Sequence, residues 1–173
     1  MIPIPNPLHP AIVHFPIVLI LFGAVAAVVA VFFRRWHLPW LAAGLLAGGA
    51  LGAFAATWTG GEEEEMVGEL SPQAERILDE HEEWGERTRN IAILAALLAV
   101  AGASTLRFPK TARGLGIAAA IVAVAAAYAV AKTGHYGGQL VYKQGVGINT
   151  AAGSDAAADT GKNQPDKINK DED

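Results

Sequence analysis

The residues best equipped for chemistry are five histidines: His9, His14, His37, His81 and His135. Neutral imidazole is the commonest side-chain metal ligand near neutral pH. The chain has no cysteine, which removes disulfides, thiolate metal sites, cysteine-held iron–sulfur clusters and covalent c-type haem. His, Asp, Glu and Met remain as donors. His14 stands in the first turns of an apolar run, just before Pro16, and His135 directly follows another apolar run in the segment TGHYGG. His81 lies in a charged stretch, and His9 precedes Pro10. His37, between Trp36 and Leu38, reads as a membrane-interface residue.

Three chemistries are open to the other four. They could hold one or two b-type haems by axial pairs, with His14 and His135 as the inner pair and His81 and His9 as a second pair or as supports. They could hold a Zn or Cu ion, helped by a glutamate of the run Glu62 to Glu65. They could also be polar residues that cap helix ends and bond to loop carbonyls. Gly134, Gly137 and Gly138 around His135, with Gly145 and Gly147, imply tight turns or close backbone approach, including the approach of a porphyrin edge. GQLVY at 138–142 reads as a short strand or a re-entrant segment over a polar cap. No phosphate loop, dinucleotide fingerprint or Ser–His–Asp arrangement stands out.

The elements that must position these residues are membrane helices. Apolar residues make up 52% of the 173 and charged residues only 17%, where a soluble domain is nearer a quarter charged. The net charge of −4 comes without a basic stripe, so no nucleic-acid partner is expected. The fold class expected is all-α: an integral membrane four-helix bundle over 1–148, with an extramembrane loop cap. Its spans fall at about 11–33, 38–58, 88–106 and 114–132. A helix needs roughly 20 apolar residues to cross the hydrocarbon core, and the third run is apolar only from Ile91 to Leu106.

Arg34 and Arg35 close the first span, and Arg107, Lys110 and Arg113 fill the loop between the third and fourth. Both clusters fall on one side, which the positive-inside rule makes cytoplasmic. The N-terminus, the 59–88 segment and the C-terminus are then expected outside, in the periplasm of a bacterium whose inner membrane holds the protein. The first span lacks a positive n-region and reads as an N-out anchor instead of a cleaved signal. Trp36 and Trp40 flank the cytoplasmic ends, and Trp58 and Trp84 the outer ends.

Gly44, Gly48 and Gly52 recur every four residues and suit close helix packing or room for a flat cofactor. The third helix is expected to start well before the membrane, with Ser71 as N-cap and Pro72 in the first turn. From there a 3.6 period puts Ala74, Ile77, Leu78, His81, Trp84, Gly85 and Thr88 on one face, so His81 should point into the bundle. Residues 149–173 have almost nothing to bury and read as a disordered tail.

LHPAIVHFPIVL at 8–19, HEEWG at 81–85 and TGHYGGQLVY at 133–142 together resemble the domain of unknown function 2231 family of predicted four-span bacterial membrane proteins. The resemblance runs from about Leu8 to Ile148. It places His9, His14, His81, Gly134, His135, Gly137 and Gly138 on the family's motif positions. Many members carry a histidine just before the final GVG, where this chain has Gln144, which favours a site made from the other four. The domain occurs fused to or beside cytochrome c-type and Rieske-type modules. That association implies membrane electron transfer, to such a redox partner or to quinone, by a subunit without catalytic turnover of its own. A metal-handling protein and a scaffold that docks a partner are the alternatives.

Overall fold

The computed structural model describes residues 9–33, 37–64 and 68–146. Among these the chain is helical, with no strand. The expected tail at 149–173, the Arg34–Arg35 pair, Trp36 and Gly147 lie outside the described residues. The helices are α1 (His9–Ile12), α2 (His14–Phe32), α3 (His37–Glu64), α4 (Pro72–Ser104) and α5 (Pro109–Gln144). Helices α1 and α2 form one rod broken at Val13. Pro16 has no N–H to offer the carbonyl one turn back, so the ladder loosens there.

Three rods are long and apolar enough to cross a membrane: His9–Phe32, His37–Glu62 and Pro109–Gln144. The expectation of four full spans is met only in part. The apolar helical stretch of α4, Ile91 to Ser104, is about 21 Å long at 1.5 Å per residue, against a hydrocarbon core of about 30 Å. The rest of α4 is the amphipathic extension that its sequence pattern implies. Ser71 caps it, accepting from the Ala74 N–H at 3.2 Å, and Pro72 opens it. Ala74 and Thr88 are buried and Ile77, Leu78, His81, Trp84 and Gly85 half-buried, whereas Glu75, Asp79, Glu80, Glu83 and Glu86 are exposed.

Two expected breaks are absent. The second span, expected to end at about 58, continues as helix through TWTGG at 57–61 to Glu64. GQLVY is neither strand nor re-entrant segment, because α5 runs through it to Gln144. Gly134, Gly137 and Gly138 are therefore helical. The turn comes at Gly145, which takes a left-handed φ of 67°. There the N–H groups of Gly145 and Val146 close back on Val141 and Leu140 at 3.2 and 3.0 Å, a glycine C-terminal stop.

The helices form two hairpins of the same direction, α2–α3 and α4–α5. Helix α4 packs on α5 and α3, and α2 on α3 and α5. The core is mostly alanine, with Ile20 and Leu46 as its large fully buried side chains. These two are reciprocal. Leu46 of α3 lies over Gly23 of α2, and Ile20 of α2 lies over Gly49 of α3. In lipid such close approach replaces the hydrophobic drive that water would supply. Large apolar side chains cover the outside, among them Phe15, Phe22, Val25, Leu51, Leu97 and Ile121, as a lipid-facing surface requires.

The close face of α3 is Gly48, Gly49 and Gly52, against Leu19, Ile20 and Pro16, whereas Gly44 meets nothing within 4 Å. A methyl at Gly49 would fall 2.8 Å from Ile20 Cγ1 and 3.1 Å from its backbone nitrogen. Gly49→Ala is expected to cost about 1–3 kcal/mol by overpacking. Gly44→Ala should be neutral or slightly stabilising. Thermal unfolding of the two variants in detergent separates them.

Candidate functional site

At the end of the bundle away from the 105–108 loop, each hairpin presents one histidine to its own second helix. His9 opens α1, and His81 lies two to three turns into α4. His9 Nδ1 is 2.8 Å from the Ala56 carbonyl of α3, and His81 Nδ1 is 3.0 Å from the Thr133 carbonyl of α5. A carbonyl only accepts, so both Nδ1 atoms donate and carry hydrogen.

The local sequence explains why a helix carbonyl is reachable. A helical C=O points toward the residue four positions on, and in both cases that residue is glycine: Gly60 after Ala56, Gly137 after Thr133. With no side chain there, the imidazole lies on the bare backbone. A Cβ at Gly60 would stand 3.1 Å from His9 Cε1, and one at Gly137 would stand 2.9 Å from His81 Cε1. The two rings then meet edge to face, with centroids 6.3 Å apart and planes at 89°. One device is thus repeated in the two hairpins, and its two copies touch.

Threonines surround the pair. Thr133 Oγ1 donates to the Ala129 carbonyl at 3.0 Å, so Thr88 Oγ1, buried on α4, donates to Thr133 Oγ1 at 3.0 Å. Thr59 Oγ1 stands 3.5 Å from His9 Nδ1. Arg89 of α4 reaches Thr57 of α3 at 3.4 Å and Glu86 at 3.2 Å. Among the described residues no buried side-chain polar atom lacks a partner. His81 stands on the charged half of α4, ahead of its apolar stretch. Burial pushes its pKa below the ordinary 6.5, the neighbouring His9 adds to that, and the bond to Thr133 opposes it. Its ring is therefore neutral at pH 7.

Beside this pair Trp84 forms an aromatic and cationic cluster. Arg87 and Lys132 lie over its ring at 4.9 and 5.3 Å, and Tyr128 meets it edge-on at 6.0 Å. Lys132 also lies 5.0 Å over Tyr136. An aromatic ring with cations at its face suits the headgroup level of a bilayer.

The inner pair expected from depth, His14 with His135, is not the pair that the bundle brings together. His14 is exposed and shares the outward stripe of Val18, Leu21 and Val25 on α2. His135 is exposed on the stripe of Ile121, Val124, Tyr128 and Tyr142, where it bonds to Gln139 at 2.9 Å and contacts Tyr136. Gly137 is occupied by the His81 ring, so its clearance is already used, whereas Gly134 and Gly138 face open space. His37 is exposed at the other end. Among the described residues no three of His, Asp or Glu converge as metal ligands. Sequence reasoning placed Thr88 on the inward face but missed Gly60, Thr57, Thr59 and Thr133. The signal available was a glycine four residues after a carbonyl that a histidine could reach.

A family model described as "Predicted membrane protein (DUF2231)" matches residues 5–150. No curated protein and no solved structure matches the chain.

Gly137→Ala should push the His81 ring off its carbonyl and lower stability by about 1–3 kcal/mol. Gly138→Ala, which meets no atom within 4 Å, should be neutral or gain helix propensity. Thermal unfolding in detergent, with the His81 ring resonances followed by NMR, checks both.

Proposed function

The chain belongs to the DUF2231 family of predicted membrane proteins, and from that premise we propose that it is a multi-pass electron-transfer subunit with a redox metal centre at the His9–His81 rim. The reading places it in a bacterial inner membrane, with the basic ends cytoplasmic and the rim and both termini periplasmic. Helix α4 crosses on Ile91 to Ser104, shielded by α3 and α5, and its charged half stands outside.

One observation carries the reading. Both imidazoles of a touching pair give their Nδ1–H to a backbone carbonyl. That bond fixes the ring and makes Nε2 its basic nitrogen, the arrangement that metal-ligating histidines use.

The donor count selects the group. Structural zinc wants four protein ligands and catalytic zinc three. Among the described residues the rim supplies two imidazoles, two of the ligands that such a zinc site would take. Copper is an imidazole-binding redox ion, and a bare ion needs little more room than two adjacent rings leave. Haem b has the second claim: its macrocycle fills four positions and asks only for two axial imidazoles. Its macrocycle would need the hairpins to part, since both rings lie flush on glycine backbone. A haem held by His14 and His135 would lie outside the bundle. Bound at the rim, either metal supplies one-electron chemistry, and the chain's own residues orient the ligands and face a periplasmic partner or quinone.

The test is elemental analysis and the visible spectrum, oxidised and dithionite-reduced, of the full chain purified in detergent. About one copper per chain is expected, lost in His9→Ala and in His81→Ala and kept in His14→Ala and His135→Ala. A Soret band lost in the first two variants instead selects haem at the same pair. Protein free of both metals leaves the histidine pair a purely structural clasp and overturns the proposal.

A further inference from the structure

The opposite end of the bundle holds a feature that the histidine rim does not use. A crevice of about 260 Å³ lies on the bundle axis and draws walls from α2, α3, α4 and α5. Its deep part is made of buried Ala27, Ala42, Ala99 and Ala119, and its walls end at exposed Arg113. From Ala119 to Ala112 it runs roughly 10 Å along α5.

We infer that this crevice takes an acyl chain of an anionic phospholipid from the surrounding leaflet, with the phosphate held at Arg113. Size, lining and charge each narrow the occupant. The volume is below the roughly 300–1,000 Å³ of small-molecule pockets, which suits a slender chain and not a fused-ring system. The walls are alanine methyls, glycine backbone and the aliphatic Val31, Pro39 and Leu106, with Arg113 as their charged member. No ion pair or side-chain hydrogen bond joins the Arg113 guanidinium to another described residue. Lys110, one turn earlier on α5, is also exposed. Basic pockets between helices at the cytoplasmic face are suited to anionic headgroups, and each basic residue there contributes about 1 kcal/mol. The crevice also contains a natural control. A Cβ at Gly116, one of its lining residues, would meet no atom within 4 Å, so a methyl fits there without displacing the bundle.

Native mass spectrometry of the full chain tests this, with phosphatidylglycerol and phosphatidylcholine of identical acyl chains added to the detergent-purified protein. Wild type should retain phosphatidylglycerol about fivefold better. Arg113→Gln should bring that ratio near one, and Arg113→Lys should restore most of it. Gly116→Leu should lower retention of both lipids, with Gly116→Ala as the milder filler. An unchanged ratio in Arg113→Gln, or unchanged retention in Gly116→Leu, overturns the assignment. So does stronger retention of a free fatty acid than of phosphatidylglycerol, which would give the crevice to a different occupant. No metal enters these measurements, so they stand or fall apart from the histidine rim.

Discussion

The fold depends on side chains of one helix lying against the bare backbone of a glycine on the next. Ile20 over Gly49 and Leu46 over Gly23 set the spacing of the first hairpin. His9 over Gly60 and His81 over Gly137 repeat the contact at the rim, now with polar rings. In a bilayer the apolar surface of a helix gains little by leaving lipid for another helix. Association must come from close packing and from hydrogen bonds between helices. A glycine supplies both: it shortens the distance between axes and uncovers the carbonyl four residues before it. The histidine pair is thus an outgrowth of the same packing rule that builds the alanine core.

That rule explains which parts of the architecture were legible in the sequence. The start of α4 at Ser71 and Pro72 is local chemistry, a hydroxyl for an orphan N–H and a ring at a position that needs no donor, and it is where the pattern places it. The inward face of α4 is equally legible, because charges mark the wet side and leave Ala74, Ile77, His81 and Thr88 for the dry one. The glycines of TWTGG and TGHYGG mislead for a physical reason. In water a glycine cluster exposes backbone and ends a helix, but within packed membrane helices it makes room for a neighbour. Among the described glycines Gly145, past the packed region, takes the left-handed turn that the composition suggests.

The azimuth of the histidines was not legible in the sequence. Counting residues from a helix end gives height in the bilayer, and by height His14 and His135 form a natural pair. Which way they face depends on where α2 and α5 are buried, and those apolar helices carry no charge pattern to mark a wet side. The stripe that faces the core is alanine and glycine, and the lipid stripe holds the bulky residues, the reverse of the soluble-protein pattern. Read with that inversion, His14 beside Phe15 and Val18 belongs to the outside. His81, with a charged flank to orient it, was placed correctly. Thr57, Thr59 and Thr133 give no periodic signal, because each bonds mainly to its own helix backbone.

The two hairpins carry the same device in the same order: histidine on the first helix, then a carbonyl with glycine four residues on along the second. Both run in the same direction through the bundle, as in membrane proteins built from parallel repeats. The pair His9–His81 therefore sits at the junction of two like halves, where neither half alone presents two imidazoles. Any group bound there must bridge the halves, and its binding free energy adds to their association. The neutral state of His81 favours such bridging, because a protonated ring there would repel a cation. The central crevice at the far end, walled by both hairpins, lies across that same junction.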